Sequence, residues 1–273
     1  MEVLSKFIPN FKIENIERDN KELNKSIILT LKEQEINISS SPFLCSILEY
    51  YFKLNNNQNQ AKKNLIILIG EKESLNFYAT IGRKLGINLL KKDNGFIFVD
   101  IIGMFAKLLS TELPLEENYP DTFNPVKKDE DEYIICDKKL VNYDNLNLLY
   151  QEIFNRIKEK INEKKSENKI TIIFDKVNDD SLASIDEIIK YCFSNDVNLI
   201  FTINKDINSE KVCNYLEYLS DILFEIKKNE SGFSKDINGI IDINIKLDQR
   251  QDKKCYRYNL KTNEIKILTH IDI

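Results

Sequence analysis

The sequence has one histidine, His270, no tryptophan, two methionines and seven glycines among 273 residues. A single His near the C-terminus leaves almost nothing for His/Cys zinc sites or for a Ser-His-Asp triad. The five cysteines (Cys45, Cys136, Cys192, Cys213 and Cys255) never approach a CxxC spacing, which excludes that class of metal or redox motif. Several lie within apolar patterns and read as buried, reduced thiols of a cytoplasmic or nuclear protein. The N-terminal stretch has no uninterrupted apolar run, so it is not a signal peptide. The most apolar window, Phe96 to Leu109, is broken by Asp100 and Lys107 and is shorter than a membrane helix requires. No membrane partner is expected.

What is present is a core. The length suits one large domain or two small ones, the hydrophobic fraction of 42% is enough for a sizeable core, and 39 Lys plus Arg stand against 44 Asp plus Glu for a net charge of -5. A mildly acidic chain lacks a global positive field, so any nucleic-acid contact must use a local patch or partners.

Apolar runs alternate between strand and helix character. Strands are expected at Ser26–Leu31, Leu65–Ile69, Phe96–Val99, Ile170–Phe174 and Val197–Ile203. Between them, helices are expected from Ser41-Pro42, from about Ser74, over Asp144–Lys164, after a capping box at Ser184 and Glu187, and over Lys211–Leu219. From Ile222 onward the pattern changes to alternating strands: Ile222–Lys227, Ile237–Leu247, Cys255–Leu260 and Glu264–Leu268. Gly82 and Gly86 mark close helix packing or a helix end. This order predicts a three-layer α/β domain: a mainly parallel sheet, helices on both faces and a C-terminal antiparallel extension. The chain reads as one domain, with an N-terminal segment 1–25 and a polar, proline-containing insertion at 111–140.

The catalytic equipment of such folds is missing. The loop after the first strand, read as Lys32–Ser41, has no glycine and no Gly-Lys-Ser/Thr, and it carries Glu33 and Glu35, which repel phosphate. GxGxxG is absent. Ser39–Ser41 read as a helix cap, and Asp175, in a Walker-B-like place, reads as a cap for the next loop, not a metal ligand. Scattered lysines such as Lys227, Lys228 and Lys235 read as a solvated face. No catalytic, cofactor-binding or metal residue is assigned and no cofactor is expected, which points to binding or assembly, not catalysis.

Five segments in order resemble one family, Elongator complex protein 6: Ser41–Lys53, Asn76–Leu89 with its Ile81-Gly-Arg-Lys-Leu-Gly86 core, Gly95–Asp100, Ile170–Asp175 and Ser231–Gly239. The resemblance spans about Ser26–Leu109 and Lys169–His270. It implies a RecA-like P-loop-NTPase fold with a degenerate phosphate loop and no working Walker motifs. It also implies a non-catalytic subunit that forms a hetero-hexameric ring with Elongator subunits 4 and 5. That ring binds tRNA and docks on the catalytic Elongator core, which modifies wobble uridines (U34). By the same resemblance, the loops 176–181 and 204–210 face the ring channel, making Lys176 and Lys205 candidate tRNA contacts. Two other readings stay open at this point: a degenerate RecA-like recombination paralogue acting on DNA, and a Rossmann-type enzyme such as a methyltransferase.

Overall fold

Short runs of Ile, Leu, Val and Phe, apolar at every position, suit strands of a parallel sheet covered by helices on each side. The computed structural model of the chain builds that arrangement. It describes residues 26–55, 62–70, 73–84, 86, 88–89, 95–101, 146–177, 179, 182–229, 237–247, 250–261 and 264–271. Segment 1–25, the insertion 111–140 and Cys136 lie outside the described residues.

In chain order the elements are β1 (Ile28–Glu33), α1 (Ser41–Asn55), β2 (Lys63–Gly70), α2 (Leu75–Lys84) and β3 (Phe96–Asp100). Next come α3 (Leu146–Lys164), β4 (Asn168–Asp175), α4 (Leu182–Phe193), β5 (Asn198–Asn204) and α5 (Glu210–Leu219). The chain then continues through β6 (Ile222–Lys228), β7 (Gly239–Leu247), β8 (Arg250–Lys261) and β9 (Glu264–Ile271). All nine described strands form one sheet in the order β3-β2-β4-β5-β1-β6-β7-β8-β9. Pairing is parallel from β3 through β6 and antiparallel from β6 to β9. The antiparallel extension therefore sits at one edge, as the sequence pattern predicts.

Two apolar layers flank the sheet. On one face α1 and α2 bring Leu44, Leu48, Phe52 and Tyr78 against Leu29, Leu31, Phe98, Phe224, Ile243 and Tyr258. On the other, α3, α4 and α5 cover Ile67, Ile172, Phe174, Leu199 and Phe201 with Ile153, Ile157, Ile188 and Leu216. Phe174 and Phe201 stack with centroids 5.0 Å apart, fixing β4 beside β5. Each fully buried side chain of this size contributes about 1.5–3 kcal/mol.

Local chemistry sets the ends of the elements. At the C-terminus of α1, Asn55 Nδ2 donates to Asn64 O at 2.8 Å and Asn55 Oδ1 accepts from Asn64 N at 2.7 Å, tying the helix to the start of β2. Gly86, with φ of 76°, adopts the left-handed turn just past α2, so this glycine marks a helix end. Ser209 caps α5 by accepting from Val212 N–H. One expected cap is not formed. Helix α4 starts at Leu182, so Ser184 lies inside it and is buried, while Glu187 pairs with Lys158 on α3. The capping box is corrected to an interhelical ion pair. Among the described residues no helix is long and apolar enough to cross a membrane.

Candidate functional site

In an open parallel sheet, ligands bind beyond the carboxyl ends of the strands, where neighbouring connections diverge. Here that position lies above β1, β5 and β4. The sequence reading places Lys32 and Glu33 in the loop after β1, but both belong to the strand, and both are buried. Lys32 Nζ meets Glu217 Oε1 of α5 at 2.5 Å, and Glu33, only 2% exposed, turns inward.

The Glu33 carboxylate is surrounded. Oε1 accepts from Ser40 N–H at 2.6 Å, at the start of α1, and Oε2 accepts from Asn204 Nδ2 at 2.8 Å, at the end of β5. Lys176, just past β4, places its ammonium on Oε1 and lies 3.4 Å from Ser40 Oγ. Burial alone would raise the Glu33 carboxyl. The Lys176 charge and hydrogen bond, with those from Ser40 and Asn204, outweigh it and hold the group below the usual carboxylate range. A backbone N–H at a helix start plus a lysine is the donor set that holds a phosphate in a P-loop. In this chain that set closes on the chain's own carboxylate.

Lys176 adopts φ of 66°, a left-handed conformation uncommon outside glycine. Its N–H donates to Thr202 Oγ1 at 2.6 Å, and the following Val177 N–H donates to Thr202 O at 3.0 Å. Those bonds to β5 hold the turn that aims the ammonium back over the sheet.

Beneath this turn, Asp175 is fully buried. Thr202 Oγ1 donates to Asp175 Oδ1 at 2.7 Å, and the Tyr78 hydroxyl of α2 donates to Oδ2. The expected loop cap is therefore corrected: Asp175 is a buried acceptor linking α2, β4 and β5. Burial, reinforced by Asp175, raises the Tyr78 hydroxyl, and burial with the same carboxylate pushes the Cys45 thiol up to about 12. Among the described residues no three His, Cys, Asp or Glu side chains are grouped to hold a metal.

Further bonds join the loops. Lys205 N–H donates to Glu33 O at 2.9 Å, Asn208 Nδ2 to Val177 O at 2.7 Å, and Ile36 N–H to Asp206 Oδ2 at 2.9 Å. The two lysines expected as tRNA contacts are thus placed differently. Lys176 is turned inward onto Glu33, whereas Lys205 sits exposed in the turn after β5. Beside it, Ile36 and Ile207 are 68% and 56% exposed on the two loops joined by the Ile36–Asp206 bond. The sequence reading makes Glu33 a loop acid and assigns no role to Tyr78, Thr202 or Asn204. For Glu33 and Asn204 the one sequence signal is a polar residue at the carboxyl end of an apolar strand; Tyr78, in α2, and Thr202, inside β5, carry none.

No family model matches the chain, and no curated protein matches it. Solved structures do. An uncharacterized protein, PH0321, from Pyrococcus horikoshii, crystallised with an unknown peptide, is 12% identical, with 95% of this chain and 98% of that chain covered at a TM-score of 0.60. A KaiC-like protein, PH0186, from Pyrococcus horikoshii OT3, is 10% identical, with 90% of each chain covered at a TM-score of 0.50. At these identities the likeness concerns the fold, and together with the strand order it gives this chain a RecA-like α/β fold.

Proposed function

We propose that this chain is a non-catalytic, RecA-like accessory subunit of the Elongator complex. In this reading it joins subunits 4 and 5 in a hetero-hexameric ring that binds tRNA. The ring docks on the catalytic core and supports modification of wobble uridine (U34) in the cytoplasm or nucleus. The observation that carries the non-catalytic part is the closure of the phosphate-holding donors on Glu33. A nucleotide would have to displace a buried, ion-paired carboxylate before meeting Ser40 N–H or Lys176. The choice of complex rests on the sequence segments quoted above. Exposed Ile36 and Ile207 beside the filled site suit a protein neighbour.

The test is affinity purification of the tagged chain from its own cells, followed by mass spectrometry and an ATP titration. Recovery of subunits 4 and 5, with no ATP binding by the purified chain, is the expected result. Recovery of a recombinase instead, or tight binding of S-adenosylmethionine or NAD, overturns the reading.

A further inference from the structure

On the sheet face carrying α3, α4 and α5, helical cover stops at β1. There Lys32 joins Glu217 of α5 to Glu225 of β6, at 2.5 and 3.8 Å. Beyond that line the antiparallel extension presents this face with no described helix over it. Strand alternation assigns its residues, because Ile222, Phe224, Ile226, Ile241, Ile243, Tyr256 and Tyr258 all join the core under α1. The intervening positions therefore face outward. They include Glu225 and Lys227 on β6, Asp242 and Lys246 on β7, Lys253 and Arg257 on β8, and Lys266 on β9, with Leu223 and Cys255 buried and Ile240 half-buried among them.

Glu225 and Asp242 on this face are already engaged. Gln34 Nε2 donates to Glu225 at 2.6 Å, and Asp242 meets Lys227 Nζ at 2.5 Å. Lys246 Nζ donates to the Glu217 carbonyl at 2.9 Å, which leaves its charge unneutralised. Lys253, Arg257 and Lys266 are exposed and make no ion pair with a described residue. The surplus charge here is positive, on a protein whose net charge is -5.

The geometry points to this outer face of β6–β9 as a docking surface for the phosphate backbone of folded RNA. Registry sets its dimensions. Lys227 and Arg257 flank Ile240 on adjacent strands, about 10 Å apart across the sheet, and Lys253 lies four residues from Arg257, about 13 Å along β8. A patch of that size meets several phosphates at once. Protein interfaces favour aromatic and apolar centres and are depleted in lysine. Among its described residues this face offers no aromatic centre, since Tyr256 and Tyr258 are buried on the other side, and the aliphatic Ile240 stands between the cations Lys227 and Arg257. Without exposed aromatics it has nothing for unpaired bases to stack on, so it suits backbone contacts, not base readout. The choice of RNA over DNA rests on the function proposed above; the charge placement does not.

The experiment is fluorescence anisotropy of labelled tRNA with the full chain, alone and with its ring partners. The triple variant Lys253→Glu, Arg257→Glu, Lys266→Glu is compared with a charge-matched control, Lys53→Glu, Lys160→Glu, Lys190→Glu. Melting curves verify that both fold. The triple variant is expected to bind at least about tenfold more weakly and to lower the slope of log affinity against log salt by about 2, while the control stays within roughly threefold. Unchanged affinity in the triple variant, or an equal loss in the control, overturns the surface. So does stronger competition by polyglutamate than by RNA, which would mean an acidic protein partner. Duplex DNA binding as tightly as tRNA overturns the assignment to RNA. Binding lost in Lys205→Glu but kept in the triple variant refutes this surface and leaves the proposed function standing. Absence of tRNA binding by both chain and ring refutes the two together, and recovery of subunits 4 and 5 reads the proposed function independently.

Discussion

Lys176 lies one residue beyond β4 and reaches across the end of β5 to place its ammonium on Glu33 at the end of β1. The pair joins two strands that are not neighbours in the sheet, through a residue in a left-handed conformation. Its two charges depend on each other. Glu33 is 2% exposed and the Lys176 side chain 14%, so removing either partner leaves the other poorly solvated.

Glu33→Gln should therefore destabilise the protein by about 3 kcal/mol, because the Lys176 ammonium loses its counter-charge while remaining largely buried. The double change Glu33→Leu, Lys176→Met should recover most of that loss. Urea unfolding of the three proteins measures it. A double variant as unstable as Glu33→Gln would show that the cost lies in the lost hydrogen bonds from Ser40 and Asn204.

The same pair predicts an acid dependence. The Glu33 carboxyl sits below its usual value of 4.5 in the folded protein, so its contribution is fully present above that pH and is lost as pH falls through the lower, folded value. Stability measured from pH 6 downward should fall less steeply in Glu33→Gln than in the wild type once the pH is below 4.5. Parallel curves would place the acid sensitivity elsewhere.

Asp175→Ala should cost about 2–3 kcal/mol, since the buried hydroxyls of Tyr78 and Thr202 lose their acceptor. Asp175→Asn keeps one carbonyl oxygen and should cost less. If the proposed function is right, tRNA wobble-uridine modification should persist in Asp175→Asn cells whenever the protein is folded. Ile172→Asp should instead prevent folding, because it places an unpaired charge at a fully buried position of β4. By contrast, Glu187→Ala should change stability by no more than about 0.5 kcal/mol, since Glu187 is 61% exposed in its pair with Lys158.

Thiol chemistry gives a further check. Cys45, Cys192, Cys213 and Cys255 are free and buried, and burial pushes the first, second and fourth to about 12. At pH 8 these four should resist Ellman's reagent until denaturant is added. Rapid labelling of Cys192 in the native protein would contradict its place in the core.

The helices and strands were largely legible because their apolar positions recur at regular spacing, as at Phe43, Leu44, Ile47 and Leu48 of α1. The candidate site was not legible, because its logic is non-local. Lys32 and Glu33 look like loop residues until their partners Glu217 and Lys176 are brought close by the sheet. Read as a loop acid, Glu33 repels a phosphate; in the structure it is a buried acceptor for Ser40 N–H, Asn204 and Lys176. The start of β8 was missed for a related reason. Arg250–Lys254 carries no apolar alternation, yet it pairs with β7 in continuous register. Ser184 and Glu187 matched a capping box by spacing alone, and only the start of α4 at Leu182 shows that the helix had already begun.

The position of β1 between β5 and β6 also has a consequence during synthesis. Ile28 pairs with Leu199 on one side, and Leu29 pairs with Ile222 on the other. Neither partner exists until well over half of the chain has been made. At roughly 5–20 residues per second, the first strand waits on the order of ten seconds or more on the ribosome with its backbone edges unmatched. Its apolar run Ile28–Leu31 is then a natural substrate for a holding chaperone, and a translational pause placed before β5 should lower the yield of folded protein more than one placed after β6.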